Sequence, residues 1–267
     1  MDQTPAGHDA DAVDILLTRP AGRNESLARR LRTDGLIVMD APALRIEPVA
    51  EACPVPQPGE LGIFVSRQAV DAYFSHHAGW LPGAWAAAVG AATAQALRGQ
   101  IPATHVLAPD PGCAPDSEHL LDVLLARLPD SGRAYVFRAQ HGRDWLADQL
   151  RARGWTVSCH AAYHRVPVLW EAPVARRLAR GGALVLLLTS LEALDAIDRS
   201  LTFHGFSWPA TGLAVVTLHE RIARRLQWRC EQASAEPLAI TISDPDESSL
   251  FRAILAAAQS VRNPPSS

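Results

Sequence analysis

The sequence predicts an α/β protein built from two parallel-sheet, three-layer domains joined by a two-stranded β linker. Three observations point there. Short apolar runs alternate with amphipathic stretches along most of the chain, the pattern of strands that return through helices to a parallel sheet. About ten such runs are more than one doubly wound sheet in a chain of 267 residues holds comfortably. Two kinds of module also recur in the same order.

In chain order, strands are expected at Asp14–Leu17, Leu36–Met39, Leu61–Val65, Ala86–Gly90 and His105–Ala108. They continue at Ala134–Phe137, Trp155–Ala161, Ala183–Leu188, Leu213–Thr217 and Leu238–Ile242. Between them, helical spacing marks Glu25–Thr33, Gln68–Ser75, Ala91–Arg98 and Glu118–Leu128. It marks Arg143–Arg153, Leu191–Ser200, Glu220–Trp228 and Glu247–Gln259 in the second half. Helices of this length between strands require right-handed crossovers.

The repeat is visible by eye. Thr18–Val38 aligns without gaps on Phe137–Val157, with Arg19 under Arg138, Leu27 under Leu146, Leu31 under Leu150 and Gly35 under Gly154. The register continues to Pro48 under Pro167. Val65–Ala72 likewise matches Thr189–Ala196, and Ala92–Leu97 resembles Arg221–Leu226. Any two β-α units share apolar spacing and a glycine after the helix; recurrence of both module types in one order is more than that.

Ala43–Val49 and Tyr163–Trp170 are short, β-like and proline-bearing. Proline lacks an N–H, so they suit edge or linker strands rather than central ones. Two such crossings make residues 50–162 one contiguous domain and join 13–43 to 169–260 as a discontinuous one, with 44–49 and 163–168 as linker strands. Residues 1–12 and 261–267 carry no periodic pattern and read as disordered tails.

Composition narrows the function. The net charge is −3 and the isoelectric point about 6.4, so no bulk positive field suggests a nucleic-acid or membrane partner. All 25 basic residues counted as Lys or Arg are arginine. Without lysine, P-loop nucleotide chemistry and Schiff-base or pyridoxal-phosphate chemistry are excluded. The longest apolar run, Ala183–Leu188, is far short of a membrane span. The acidic N-terminus lacks the apolar core of a signal peptide. Cys53, Cys113, Cys159 and Cys230 are scattered, without metal-ligand spacing. They read as free thiols of a cytoplasmic protein.

No G-x-S-x-G, H-E-x-x-H or G-x-G-x-x-G signature is present. What recurs is a small polar residue where a strand ends and a helix begins. Thr18, Arg19 and Pro20, Ser66 and Arg67, Gly90 to Thr93, Asp116 and Ser117, Arg138, Thr189 and Ser190, and His219 occupy such places. In open α/β sheets ligands bind at that edge, where helix N-termini offer N–H groups to anions. Ser66, Ser117 and Ser190 also suit helix N-caps, a role compatible with ligand contact. Arg19 and Arg138 offer bidentate forks for carboxylate or phosphate, or surface pairs with Glu25 or Asp144. Tyr163 starts the second linker; its hydroxyl either reaches a site or is satisfied in packing. His76 and His77 lack a third ligand at suitable spacing and read as solvated.

The order and wording of these segments resemble the uroporphyrinogen-III synthase family. The likeness is carried by LLTRPAGRNESLARRL (16–31), PALRIEP (42–48), FVSRQAV (64–70), AVGAATAQAL (88–97) and PDSEHLL (115–121). It continues through VFRAQHGRDWLADQLRARG (136–154), AAYHRVP (161–167) and LLTSLEAL (187–194). Two departures stand out: Ile222 takes the place of a threonine, directing attention to His219 or backbone groups, and Ala139-Gln140 replaces the usual glycine-glutamate after Arg138.

The resemblance implies flavodoxin-like domains with substrate between them, a monomer, and neither metal nor cofactor. The implied reaction is that of a cyclising hydro-lyase. It closes hydroxymethylbilane, a linear tetrapyrrole with eight carboxylates, with loss of water and inversion of the last ring. The named strand-end residues would bind substrate, and Tyr163 would be catalytic. Transient contact with the upstream deaminase stays open. The rival reading is a non-catalytic two-lobed sensor for a small anion, which needs an output domain that the sequence does not suggest.

Overall fold

The computed structural model describes residues 13–49, 53–110, 116–140, 142–209, 211–232 and 238–262. Cys113 and the expected tails lie outside the described residues, apart from residues 261 and 262, which close the last helix.

The chain starts with β1 (Asp14–Leu17), α1 (Glu25–Thr33), β2 (Ile37–Asp40) and β3 (Leu44–Pro48). It continues with β4 (Leu61–Phe64), α2 (Arg67–Phe74), β5 (Trp85–Ala88), α3 (Ala91–Arg98) and β6 (Val106–Leu107). Next come α4 (Ser117–Arg127), β7 (Arg133–Ala139), α5 (Trp145–Arg151) and β8 (Thr156–Pro167). The remainder is α6 (Ala172–Arg180), β9 (Leu184–Leu188), α7 (Leu191–Phe203), β10 (Leu213–Thr217), α8 (Glu220–Gln232), β11 (Ala239–Ile242) and α9 (Glu247–Arg262).

Contacts divide the chain into two compact units, residues 1–45 with 166–267, and residues 46–165. The first contains a five-stranded sheet in the order β11-β10-β9-β1-β2, with every pair parallel. The second is built on the order β3-β8-β7-β4-β5-β6, parallel from β8 to β6. At its edge, Val49 N–H donates to Ala162 O and Val168 N–H to Ala43 O. These bonds run in opposite chain senses, so β3 lies antiparallel to β8. Without β3 the second order, read backwards, is β6-β5-β4-β7-β8, which matches the first sheet strand for strand.

Both sheets are covered on both faces, which is why their central strands are largely apolar rather than alternating. In the first unit Leu16, Leu184, Leu186, Leu213 and Val215 face α6, α7 and α8. Ile15, Leu17, Val185, Leu187 and Val216 face α1 and α9. In the second unit α2 and α3 cover Phe64, Ala86 and Phe137. There α4 and α5 cover Leu61, Ile63 and Val136. Gly62 in β4 is required by packing, since a Cβ there would lie 2.5 Å from the Trp80 ring.

Two elements differ from expectation. The helix α6 has no counterpart in the sequence reading. Its Ala175 and Leu178 make only a narrow apolar stripe, beside Arg176, Arg177 and Arg180, and Pro173 near its start resembles a loop signal. The strand expected at Trp155–Ala161 and the linker strand at 163–168 join into one strand, β8. Its residues pair with β7 as far as Tyr163, with a register shift opposite Arg138 and Ala139. His77 is also not merely solvated: its ring stacks on Tyr73 and its Nε2 lies 2.9 Å from Cys53 O.

Ser200 anchors the return of the chain into the first unit. It is fully buried, its Oγ accepts Trp170 N–H at 3.1 Å, and it bonds Ala196 O. Replacing Ser200 with alanine strands a buried N–H, so urea unfolding is expected to show a loss of about 1–3 kcal/mol. An unchanged midpoint would show that this segment is held by packing alone.

Candidate active site

In a parallel sheet with helical crossovers all strand C-termini and all following helix N-termini share one edge. The residues singled out from the sequence therefore line one edge of each sheet.

In the second unit Ser66 follows β4 and caps α2. Its extended backbone turns Oγ onto Ala69 N–H at 3.2 Å. Tyr163 lies at the same level of β8, where the one-residue register shift sets it opposite Ala139 rather than Ala162. The Tyr163 ring is buried among Phe64, Val70 and Phe137, with 1% of the residue exposed. Its Oη lies 3.2 Å from Ser66 Oγ, and Arg165 Nη2 donates to it at 3.4 Å. The Arg165 guanidinium also lies 5.8 Å from the centre of the Tyr163 ring. Two residues apart on a strand, Tyr163 and Arg165 share a face.

The rest of that edge is more varied. Gly90 caps α3 with backbone alone: its carbonyl accepts Thr93 and Ala94 N–H, both at 3.0 Å. Thr93 is buried beneath it. Ser117 is not a cap. Asp116 caps α4, accepting His119 N–H at 2.9 Å and meeting His119 Nδ1 at 2.6 Å. That pairing lowers the Asp116 carboxyl below its ordinary value and raises the His119 imidazole above its own. Arg67 is exposed and pairs only weakly along its helix, 3.5 Å from Asp71.

Arg138 turns into its own loop, reaching Asp144 Oδ1 at 2.8 Å and Arg143 O at 3.1 Å. Gly142 permits this, since a Cβ there would press on the Arg138 stem at 3.3 Å.

The first unit repeats the plan. Ser190 caps α7 with the geometry of Ser66, Oγ accepting Ala193 N–H at 3.1 Å. Arg19 does what Arg138 does, donating to Arg23 O and to Asn24 Oδ1, the latter at 2.9 Å. Its partner is neutral Asn24 rather than Glu25, and burial, then Arg23, lowers the guanidinium below its ordinary value. Pro20 starts the turn between them, its carbonyl accepting Arg23 N–H. His219 stands before α8, with Nδ1 accepting Arg221 N–H at 3.0 Å. Ile222 faces the core, so an aliphatic side chain suits that place.

The geometry thus brings Ser66 and Tyr163 together and turns Arg19 and Arg138 toward helix starts. Sequence reasoning missed Asn24 and Arg165, and it gave the α4 cap to Ser117 rather than to the neighbouring Asp116. Asn24 is fully buried and holds Asp40 Oδ1 at 2.6 Å as well as Arg19 O at 3.2 Å. Its place before Glu25 was its signal.

Two α/β units of matching strand order, each with a capped strand-end edge, define a duplicated α/β architecture. Uroporphyrinogen-III synthase HemD is the family whose model matches residues 25–237, and the chain belongs to that family. It is 27% identical over 203 residues to the uroporphyrinogen-III synthase of Escherichia coli K12, covering 69% of this chain and 78% of that one. Two solved structures share the fold. The uroporphyrinogen-III synthetase of Helicobacter pylori is 16% identical with a TM-score of 0.57, over 91% of this chain and 99% of that chain. A mutant uroporphyrinogen III synthase of Thermus thermophilus is 18% identical with a TM-score of 0.50, over 93% and 99%. These likenesses lend the sensor reading no support.

Asn24→Ala leaves the Arg19 guanidinium without its buried acceptor. A stability loss of about 1–3 kcal/mol is expected in denaturant unfolding. A loss under a few tenths would mean that Arg19 is held by other groups.

Proposed function

We propose that this enzyme, a lyase of tetrapyrrole biosynthesis, binds hydroxymethylbilane along its capped strand ends and closes it to uroporphyrinogen III. Family membership carries the reaction, and the Tyr163–Ser66 contact at 3.2 Å carries the assignment of its chemical centre.

The substrate supplies most of the reactivity. Its pyrrole nitrogen pushes out the terminal hydroxyl, giving an electrophilic azafulvene, and the unaided chain then closes without inversion. Selecting attack through the substituted carbon of the last ring, by way of a spiro intermediate, is a matter of conformation. The Ser66 and Ser190 caps, the α3 start at Gly90 and Thr93, and the α4 start at Ser117 supply donors suited to carboxylates. Pro20 and His219 belong to the corresponding loops of the first unit. Arg19, Arg67 and Arg138 add positive charge near those donors, with Arg19 and Arg138 held in fixed orientations. Tyr163 is the proton source for the departing hydroxyl, which leaves as water.

Among the described residues no helix is long and apolar enough to cross a membrane. The same proposal takes the protein as a cytoplasmic monomer that meets the upstream deaminase only transiently.

Incubation with fresh hydroxymethylbilane, followed by oxidation and separation of porphyrin isomers, is expected to give the type III isomer. Type I alone, at the uncatalysed rate, contradicts the proposal. Tyr163→Phe is expected to slow formation of type III and leave the fold intact; full turnover would remove Tyr163 from the mechanism.

A further inference from the structure

Tyr163 is in the right neighbourhood but poorly placed to meet a substrate by itself. Only 1% of the residue is exposed, and its hydroxyl sits behind Ser66. Ser66 is half-buried, at the mouth of the β4–α2 turn. A short route for a proton from Tyr163 to the strand-end edge runs through Ser66 Oγ at 3.2 Å.

The surrounding donors give that route a direction. Arg165 can only donate, so its contact with Tyr163 Oη uses an acceptor position of the phenol oxygen. The phenol's own proton is then available to Ser66. Ser66 Oγ already accepts Ala69 N–H, and when Tyr163 is the donor of their shared bond the acceptor capacity of Ser66 is filled. Its hydroxyl proton is left to point away from both, toward the edge.

The repeat shows that the fold does not demand this arrangement. Ser190 caps α7 in the same geometry, yet the gapless register sets Leu44 in the place of Tyr163 and Ile46 in the place of Arg165. Both modules fold, although the aligned positions of one carry a phenol and a guanidinium and those of the other carry aliphatic side chains.

We infer that Ser66 is a catalytic residue, the hydroxyl that hands the Tyr163 proton to the substrate, with Arg165 as the positioning residue that sets the direction of transfer. The inference rests on the reading of Tyr163 as the proton source. In the step, the carbon–oxygen bond of the hydroxymethyl group breaks and its electron pair goes to oxygen. Ser66 gives its proton to that oxygen, forming water, while taking the proton of Tyr163. The resulting phenolate charge faces Arg165, and the proton released when the last ring regains its aromaticity returns along the same path.

A double-mutant cycle tests this in the full-length enzyme, with initial rates of type III formation. Ser66→Ala and Tyr163→Phe are each expected to lower kcat by about tenfold to a hundredfold, with KM within about twofold. The double variant is expected to be no slower than the slower single one, because both break one path. Arg165→Met is expected to lower kcat in the native background but by less than about twofold in the Tyr163→Phe background. Ser66→Thr keeps both cap and hydroxyl, guards against misfolding of the alanine variant, and is expected to retain most of the rate.

Multiplying effects of Ser66→Ala and Tyr163→Phe overturn the relay. So does a Ser66→Ala enzyme whose only change is a raised KM, which would make Ser66 a carboxylate ligand. Tyr163→Phe at full rate removes the proton source itself. A slow Tyr163→Phe beside a fully active Ser66→Ala removes the relay alone.

Discussion

The constraint on which the rest of this structure depends is the parallel pairing of its strands. Once successive strands run the same way, every connection must recross the sheet, and every helix begins where a strand has just ended. The backbone donors of those helix starts then point to one edge. In this chain the constraint is met twice, with strand orders that match across the two units. In the proposed function, a linear molecule with eight carboxylates meets donors spread along such edges.

Within that plan the two copies have diverged in a chemically telling way. Ser66 and Ser190 are the same cap in the same backbone conformation. Ser66 meets a buried phenol that an arginine also contacts, whereas the residues aligned in sequence with that phenol and arginine are Leu44 and Ile46. Arg19 and Arg138 have diverged less. Each folds back onto the start of the following helix, one bonded to an asparagine and the other to an aspartate.

Much of the fold was legible because burial on both faces leaves a simple trace. Runs such as Leu184–Leu188 and Leu213–Thr217 are buried at every position and are apolar almost throughout. Helix starts were legible where a serine directly preceded the apolar pattern, as at Ser66 and Ser190. The start of α4 was ambiguous between Asp116 and Ser117, and there the carboxylate has the cap. Helix α6 was hidden by its proline and three arginines. The continuity of β8 was hidden because its one proline, Pro167, is its last residue and closes the strand rather than interrupting it. The pairing of Ser66 with Tyr163 was beyond any spacing rule. The two residues are 97 positions apart, and a one-residue register shift decides what Tyr163 faces.

The most direct measurement of the central claim, that the strand-end edges are where substrate is handled, is amide hydrogen exchange with and without saturating uroporphyrinogen III under anaerobic conditions. Added protection is expected at the first turns of α2, α3, α7 and α8, around Ala69, Thr93, Ala193 and Arg221. Protection confined to the opposite ends of those helices, around Ser75, Gly99, His204 and Gln232, would contradict it.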